Sequence, residues 1–362
     1  MASSQELKEW LDEVKTKTPV FLSDMAGETT PGFYRYSLTG DLFDEQALWG
    51  LGNTVFAVKS YYTLGLLDAL GEQREQMVQF IESFRTRRGQ YVDPLVARKA
   101  FWREKLSGLR HRDVQNFFHA QTARAETRQS ISALELLGEQ PSVGLGGLPR
   151  THRDIDGYLG KLNWSKPWGA GSHFSHLLFF LHRSELPDRD RLVQHAIDWV
   201  NQLQDSKSGS WFRGAPSLQQ KINGAMKILT GLKSAERMEF DRARELVDLA
   251  LQASHDPHAC NLFNVIYVLK YANESLGGAY RPEEIHCFAI ERLELYRKHW
   301  WPEHGGFSFF ERNANTYYYK AIITNGLPEP DIHGTALLLW GISLIEQLLY
   351  PVEQRQFHEF IP

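Results

Sequence analysis

Apolar positions recur along most of the chain with the period of a helix, and two grades of helix alternate. Six segments are apolar around most of their circumference: 47–66, 127–137, 169–181, 219–232, 258–269 and 331–349. Helices of that kind are expected between two packed layers. Between them run one-faced, more charged segments, 72–85, 153–162, 189–203, 241–253 and 282–299, with the N-terminal 5–15 as a further member. The joints repeat as well, as a polar, Gly-containing turn followed by aromatics. One such turn is Asp205-Ser206-Lys207-Ser208-Gly209-Ser210-Trp211-Phe212, another is His304-Gly305-Gly306-Phe307-Ser308-Phe309-Phe310, and a weaker copy is Gly89-Gln90-Tyr91-Val92-Asp93-Pro94. Gly138, Gly231 and Gly277-Gly278 fall where helix C-termini take a residue at positive φ. No strand pattern competes. The alternation predicts one all-α domain over 1–362, an (α/α)6 toroid of six inner and six outer helices around a central cavity.

One segment, 95–127, does not fit the alternation. It is helical in pattern and basic, with Arg98, Lys99, Arg103, Lys105, Arg110, Arg112 and Arg124 against Glu104, Asp113 and Glu126. It is expected on the rim, either as a solvated helix pair or as a basic lid that recruits an anionic substrate or rests on anionic lipid.

Composition narrows the setting. A net charge of −4 gives no electrostatic case for nucleic acid. The first residues, MASSQELKEWLDEVK, lack an apolar signal core, and no apolar run reaches the roughly 18 residues of a membrane span. Cys260 and Cys287 are the only cysteines, too few for a disulfide framework. A cytoplasmic setting is the expectation. The 12% aromatic content suits a large core or a cavity walled by ring faces, which fit sugar rings, isoprenoid chains or developing cations.

The run from Asp205 to Phe212 resembles the QW-type repeats of squalene–hopene cyclase-like proteins, as does Gly305-Gly306-Phe307-Ser308-Phe309. Asp331-Ile332-His333-Gly334-Thr335-Ala336-Leu337 resembles the Asp-x-Asp-Asp-Thr-Ala stretch of class II terpene cyclases. It is equally similar to the Asp-x-Tyr-His-Thr stretch of protein prenyltransferase β subunits. The resemblance, from about Ala47 onward, implies the α/α toroid and a cavity enzyme acting on an isoprenoid or other hydrophobic molecule. It places His333 where the cyclases keep their proton-donating Asp, and an imidazolium near pKa 6.5 is a poorer acid for an alkene. It also places Gly334 where the prenyltransferases keep a zinc-ligand His. Zinc would then have to draw on Cys260, His258 and Asp256, with no second spaced ligand pair, so no metal or other cofactor is expected.

In such a toroid the inner helices run roughly parallel, and their N-termini gather at one mouth. The first-turn polar residues are Asn53, Thr54, Arg128, Gln129, Ser172, His173, His176, Lys221, Asn223, His258, Asn261, Asn264, Asp331, His333 and Thr335. His333, His258, His173 and His176 are the acid–base candidates, with Asp331 orienting His333 or capping its helix. Arg128, Lys221, Asn223, Asn261, Asn264 and Asn53 are candidates to hold substrate, though several read equally as caps or buried hydrogen-bond staples. Trp164, Trp168, Trp211 and Tyr317-Tyr318-Tyr319 would supply stacking surface. Two alternatives to the isoprenoid enzyme stand. One is a polysaccharide lyase, epimerase or hydrolase, with His333 or His258 as base and Lys221 or Arg128 neutralising a carboxylate. The other is a non-catalytic binding toroid. An enclosed apolar cavity favours isoprenoids; an open groove with a Lys/Arg pair favours anionic sugars.

Overall fold

The computed structural model describes residues 4–111, 120–143 and 147–362; Arg112 and Asp113 of the basic segment lie outside them. The chain is mostly helical. In order, the helices are α1 (Ser4–Met25), α2 (Leu51–Thr63), α3 (Glu72–Glu82), α4 (Pro94–His111), α5 (Ala120–Leu136), α6 (His152–Gly160), α7 (Pro167–His182), α8 (Arg189–Asn201), α9 (Leu218–Ser234), α10 (Ala243–Leu251), α11 (Ala259–Ser275), α12 (Pro282–Arg297) and α13 (Ile332–Leu349). Strands do occur, against expectation, as two antiparallel hairpins. Trp300–Trp301 (β1) pairs with Gly306–Phe307 (β2), and Tyr317–Tyr318 (β3) pairs with Ala321–Ile322 (β4). Aromatic-rich runs of only two residues fall below the length at which alternation is visible in sequence.

The segments read as apolar all round become α2, α5, α7, α9, α11 and α13. Each packs on the next in that order, and α13 packs back on α2. The more charged helices lie against this circuit: α3 on α2 and α5, α8 on α7 and α6, α10 on α11, α12 on α13 and α11. The α7–α9 contact is the most intimate. Gly231 does not terminate a helix, as its position suggested, but lies inside α9, where an added Cβ would stand 2.9 Å from Ser175 Cα. Gly171 and Gly224 meet across the same seam, so the two backbones approach closely with few side chains between them.

Several helix starts are fixed by buried carboxylates. The Asp93 carboxylate accepts from the N–H groups of Gly50 and Leu51 at the start of α2, and from Leu95 and Val96 in the first turn of α4. That cap sets α2 at Leu51, four residues inside the predicted start. It also ties the first turn of α4 to the start of α2. Among the described residues α13 is the one helix long and apolar enough to cross a membrane, and 72% of it is buried inside the protein. Its apolar character is that of a core helix.

Candidate functional site

All six helices of the circuit contribute to one cavity of about 250 Å³. Val55, Phe56 and Lys59 come from α2, Arg128 and Gln129 from α5, and Trp168 from α7. Met226, Lys227 and Thr230 come from α9, Cys260, Phe263 and Asn264 from α11, and His333, Ala336, Leu337 and Trp340 from α13. Tyr317, Tyr318 and Tyr319 of the β3–β4 hairpin add a further wall. In its turn, Tyr319 and Lys320 both hold positive φ, at 41° and 68°. Such a turn ordinarily takes Gly or Asn, and here it brings the Tyr319 ring into the cavity. The far side is closed by the C-terminal tail. Phe360 packs on Trp340 with centroids 4.3 Å apart, and the Ile361 carbonyl accepts from Ser132 Oγ at 3.0 Å.

The electrostatics of this cavity are one-sided. Lys59, Arg128 and Lys227 all line it, and none of its described lining residues is an Asp or Glu. Lys59 Nζ donates to Gln129 Oε1, and the Arg128 guanidinium donates to Ser175 Oγ. Burial lowers the Lys227 ammonium to about 8, helped by Arg128. Burial, then Arg128 and Lys227, holds Lys59 well below its ordinary value. Even Arg128 comes down to about 10, chiefly by desolvation. Desolvation leads at all three, and Arg128 adds to it at both lysines.

His333 is the histidine the cavity receives. Its ring stacks on Phe56 at 4.3 Å and 10°, with Phe309 at 4.7 Å on a tilt. Its Nδ1 lies 3.0 Å from the Tyr36 hydroxyl, which accepts from Asn315 Nδ2 at 3.1 Å. Since Asn315 donates to Tyr36, the Tyr36 proton is free to go to Nδ1. With the Tyr36 proton directed at Nδ1, the His333 proton sits on Nε2, the nitrogen left available to a ligand. Desolvation, then His258 and Lys227, takes the ring down to about 3, so it is neutral at physiological pH. The ring is therefore a hydrogen-bond donor there, not an imidazolium.

Asp331 has a different job. Its carboxylate caps α13 through Gly334 N at 2.8 Å and also accepts from Phe309 N at 2.7 Å and Asn315 N at 3.1 Å. It is fully buried, it is not among the cavity-lining residues, and burial raises it to about 7 against those three bonds. The other histidines lie outside the lining as well. His173 sits between Arg124 of α5 and Tyr158 of α6, each 3.2 Å from its Nδ1, and desolvation brings it down to about 3. His176 is buried beside Arg128 and Arg124, its Nδ1 without a partner among the described residues, and it too is held neutral by burial. His258 packs edge-on against Phe309 and Phe310.

Of the other candidates, Trp168, Arg128, Asn264 and Tyr318 line the cavity. Asn264 is held by a relay, donating to Asn223, which donates to Asn261, which donates to Asp256. Asn53 is a staple, its amide donating to the Tyr34 carbonyl at 2.9 Å. Trp164 and Trp211 are core. Their indole N–H groups go to the Leu159 carbonyl and to Asn201 Oδ1, and the rings pack near Trp199 and Phe240. Lys221 lies over the Phe212 ring, away from the cavity.

No family model, curated protein or solved structure matches this chain. The cavity must be read from its own chemistry. Its donors do not fit a zinc site. Cys260 lines the cavity with its thiol pushed up to about 12, while Asp256 is engaged by His258 N and Asn261 Nδ2. At Gly334 an added Cβ would come 2.5 Å from Phe309 N, leaving no room for a ligand side chain.

Lys59, Lys227 and Phe360 were not singled out from sequence, whereas Gln129 was placed at the mouth and lines the cavity. A Lys set among apolar neighbours in an inner helix, as in Val55-Phe56-Ala57-Val58-Lys59 and Ala225-Met226-Lys227-Ile228, was the signal for the two lysines.

Proposed function

We propose that the closed helix circuit is an (α/α)6 toroid and that its cavity is an active site for proton transfer on a compact anionic substrate. The observation that carries this reading is the convergence of Lys59, Arg128 and Lys227 on a wall without a carboxylate. Enclosed cations without counter-charge are costly, and a bound anion relieves that cost. The cavity is at the small end of ligand pockets, which run from roughly 300 to 1,000 Å³. It suits a single ring or a short chain, and Trp168, Phe56 and Tyr318 offer that body ring faces.

Lys59 and Arg128 hold the anionic group. His333 Nε2–H donates to a substrate oxygen on which charge develops. Lys227, with an ammonium lowered to about 8, lines the cavity as a group able to exchange a proton near neutral pH. Abstraction of a proton from carbon beside a carboxylate then gives an enediolate that the cations and His333 stabilise. This is the elimination or epimerisation chemistry of an acidic sugar. Alkene protonation by Asp331 is disfavoured, because its oxygens are engaged by three backbone N–H groups.

A second reading, a short isoprenoid phosphate, is favoured by one observation: Phe263, Trp340 and Phe360 give the closed end an apolar floor. Thermal shifts with glucuronate, galacturonate, dimethylallyl phosphate and neutral glucose separate the readings. Stabilisation by the uronates but not glucose, lost in Arg128→Gln, supports the first; a shift with the prenyl phosphate alone supports the second. No shift with any anion would overturn both.

A further inference from the structure

Helix α4 lies outside the six-helix circuit and carries an apolar stripe that stays exposed among the described residues. Trp102, Leu106 and Leu109, at i, i+4 and i+7, are 70%, 65% and 67% exposed. That spacing puts them on one face. By the same spacing Arg98 and Lys105 border the stripe on one side, with Lys99 and Arg110 on the other. Across Pro94–His111 there are five Lys or Arg residues and one acid, Glu104. The helix is anchored by its first turn, where the stripe's own face is buried at Leu95, and from its remaining face. Leu95, Val96 and Ala100 are buried, and Lys99 Nζ lies 5.3 Å from the Phe43 ring centroid. Arg103 lies 5.2 Å from the ring of Tyr317, a residue that also lines the cavity, so the stripe is borne by an element next to the cavity rim.

We propose that α4 docks the protein on an anionic lipid surface, with Trp102, Leu106 and Leu109 entering the headgroup–acyl boundary and the flanking cations meeting lipid phosphates. An exposed Trp and two Leu between basic borders match such an interface in both polarity and sign. A second copy of the chain is the poorer occupant, because pairing through this face would set one basic border against another. Docking would bring the cavity rim to the membrane surface.

The test is sedimentation of the purified full-length chain with vesicles of phosphatidylcholine alone and of phosphatidylcholine and phosphatidylserine at seven to three. Binding to the mixed vesicles should be at least about tenfold stronger and should weaken as salt rises. Trp102→Glu with Leu109→Glu should abolish it with an unchanged melting temperature, since both side chains are exposed. Arg98→Gln should weaken it about fivefold, the effect of one interfacial charge. Failure of the wild type to bind the mixed vesicles would overturn the proposal, as would wild-type binding by the double variant. So would a solution dimer that the double variant dissociates, which would assign the face to a second copy. Anion-induced thermal shifts in the cavity are a separate readout, so either proposal can fail alone.

Discussion

Five buried or half-buried carboxylates and the three cations that line the cavity live in opposite circumstances. Asp41, Asp93, Glu329, Asp331 and Glu346 are each wrapped by backbone N–H groups of loops and helix starts. Lys59, Arg128 and Lys227 converge instead on empty space, with a single side-chain acceptor each for the first two. The carboxylates replace water with fixed dipoles and hold the fold together. The cations are held by the fold at its expense. Buried charge that is satisfied locally is architecture; buried charge of one sign around a cavity marks where a ligand completes the structure.

The largest expected effect tests the first half of that contrast. Asp331→Ala leaves three buried N–H groups without their acceptor, at roughly 1–3 kcal/mol each. Because the three share one loop junction, the total loss of stability should be roughly 3–5 kcal/mol in a denaturant melt. A loss under about 1 kcal/mol would mean that water replaces the carboxylate and that the cap is dispensable.

His333 lies between the two sets, and its replacement separates its two contributions. His333→Phe keeps a flat ring against Phe56 but removes Nε2–H, so turnover should fall by roughly 10²–10³-fold. His333→Ala should cost stability as well, because the ring is stacked on Phe56 and receives the Tyr36 hydroxyl. A cavity-facing position alone would have suggested little cost. Wild-type turnover in His333→Phe would remove His333 from the chemistry.

Lys227→Met should reverse the sign of the stability effect. Replacing an uncompensated, half-buried ammonium in the cavity wall by a chain of similar length should raise stability by roughly 1–3 kcal/mol. Anion-induced stabilisation should fall at the same time. If the variant is destabilised, the ammonium has a partner and the contrast with the carboxylates collapses.

The smallest effect is a pH dependence, read as a difference between wild type and Lys227→Met. A lysine lowered to about 8 in the fold and near its ordinary value when unfolded leaves the unfolded state holding more protons between those limits. The wild type should therefore gain stability relative to the variant as pH rises from about 8 to 10.5, and show a constant deficit below 8. A flat difference across that window would place Lys227 at its ordinary value.

The helices were legible because each inner one is apolar on nearly every face and each outer one on a single face; α7, α9 and α13 begin within two residues of their expected starts. Residue roles were less legible, because they depend on partners far off in sequence. Trp211 follows the same Gly-Ser turn that suggested a rim residue, yet Asn201 takes its indole N–H and draws the ring inward. Trp168, just after Pro167 at the start of α7, has its face on the cavity instead. His173 and His176, three residues apart on one helical face, turn toward the arginines of α5 and not the cavity. Phe360 reaches the cavity from the tail, which has no periodic pattern to announce it.

The return of α13 onto α2 bears on how the molecule comes apart. An open stack of helix pairs frays from its ends, each pair answering only to its neighbours. Here the last helix of the circuit is also a neighbour of the first, so no pair is terminal. Amides in α2 and α13 should then exchange with solvent on the same slow timescale as those in α7 and α9, through one shared opening of the whole circuit. During synthesis, α2 must wait for nearly the entire chain to be made before its second neighbour exists. Until then its apolar far side is bare, and a nascent chain halted before residue 332 should be held by chaperones or aggregate rather than rest as a smaller fold.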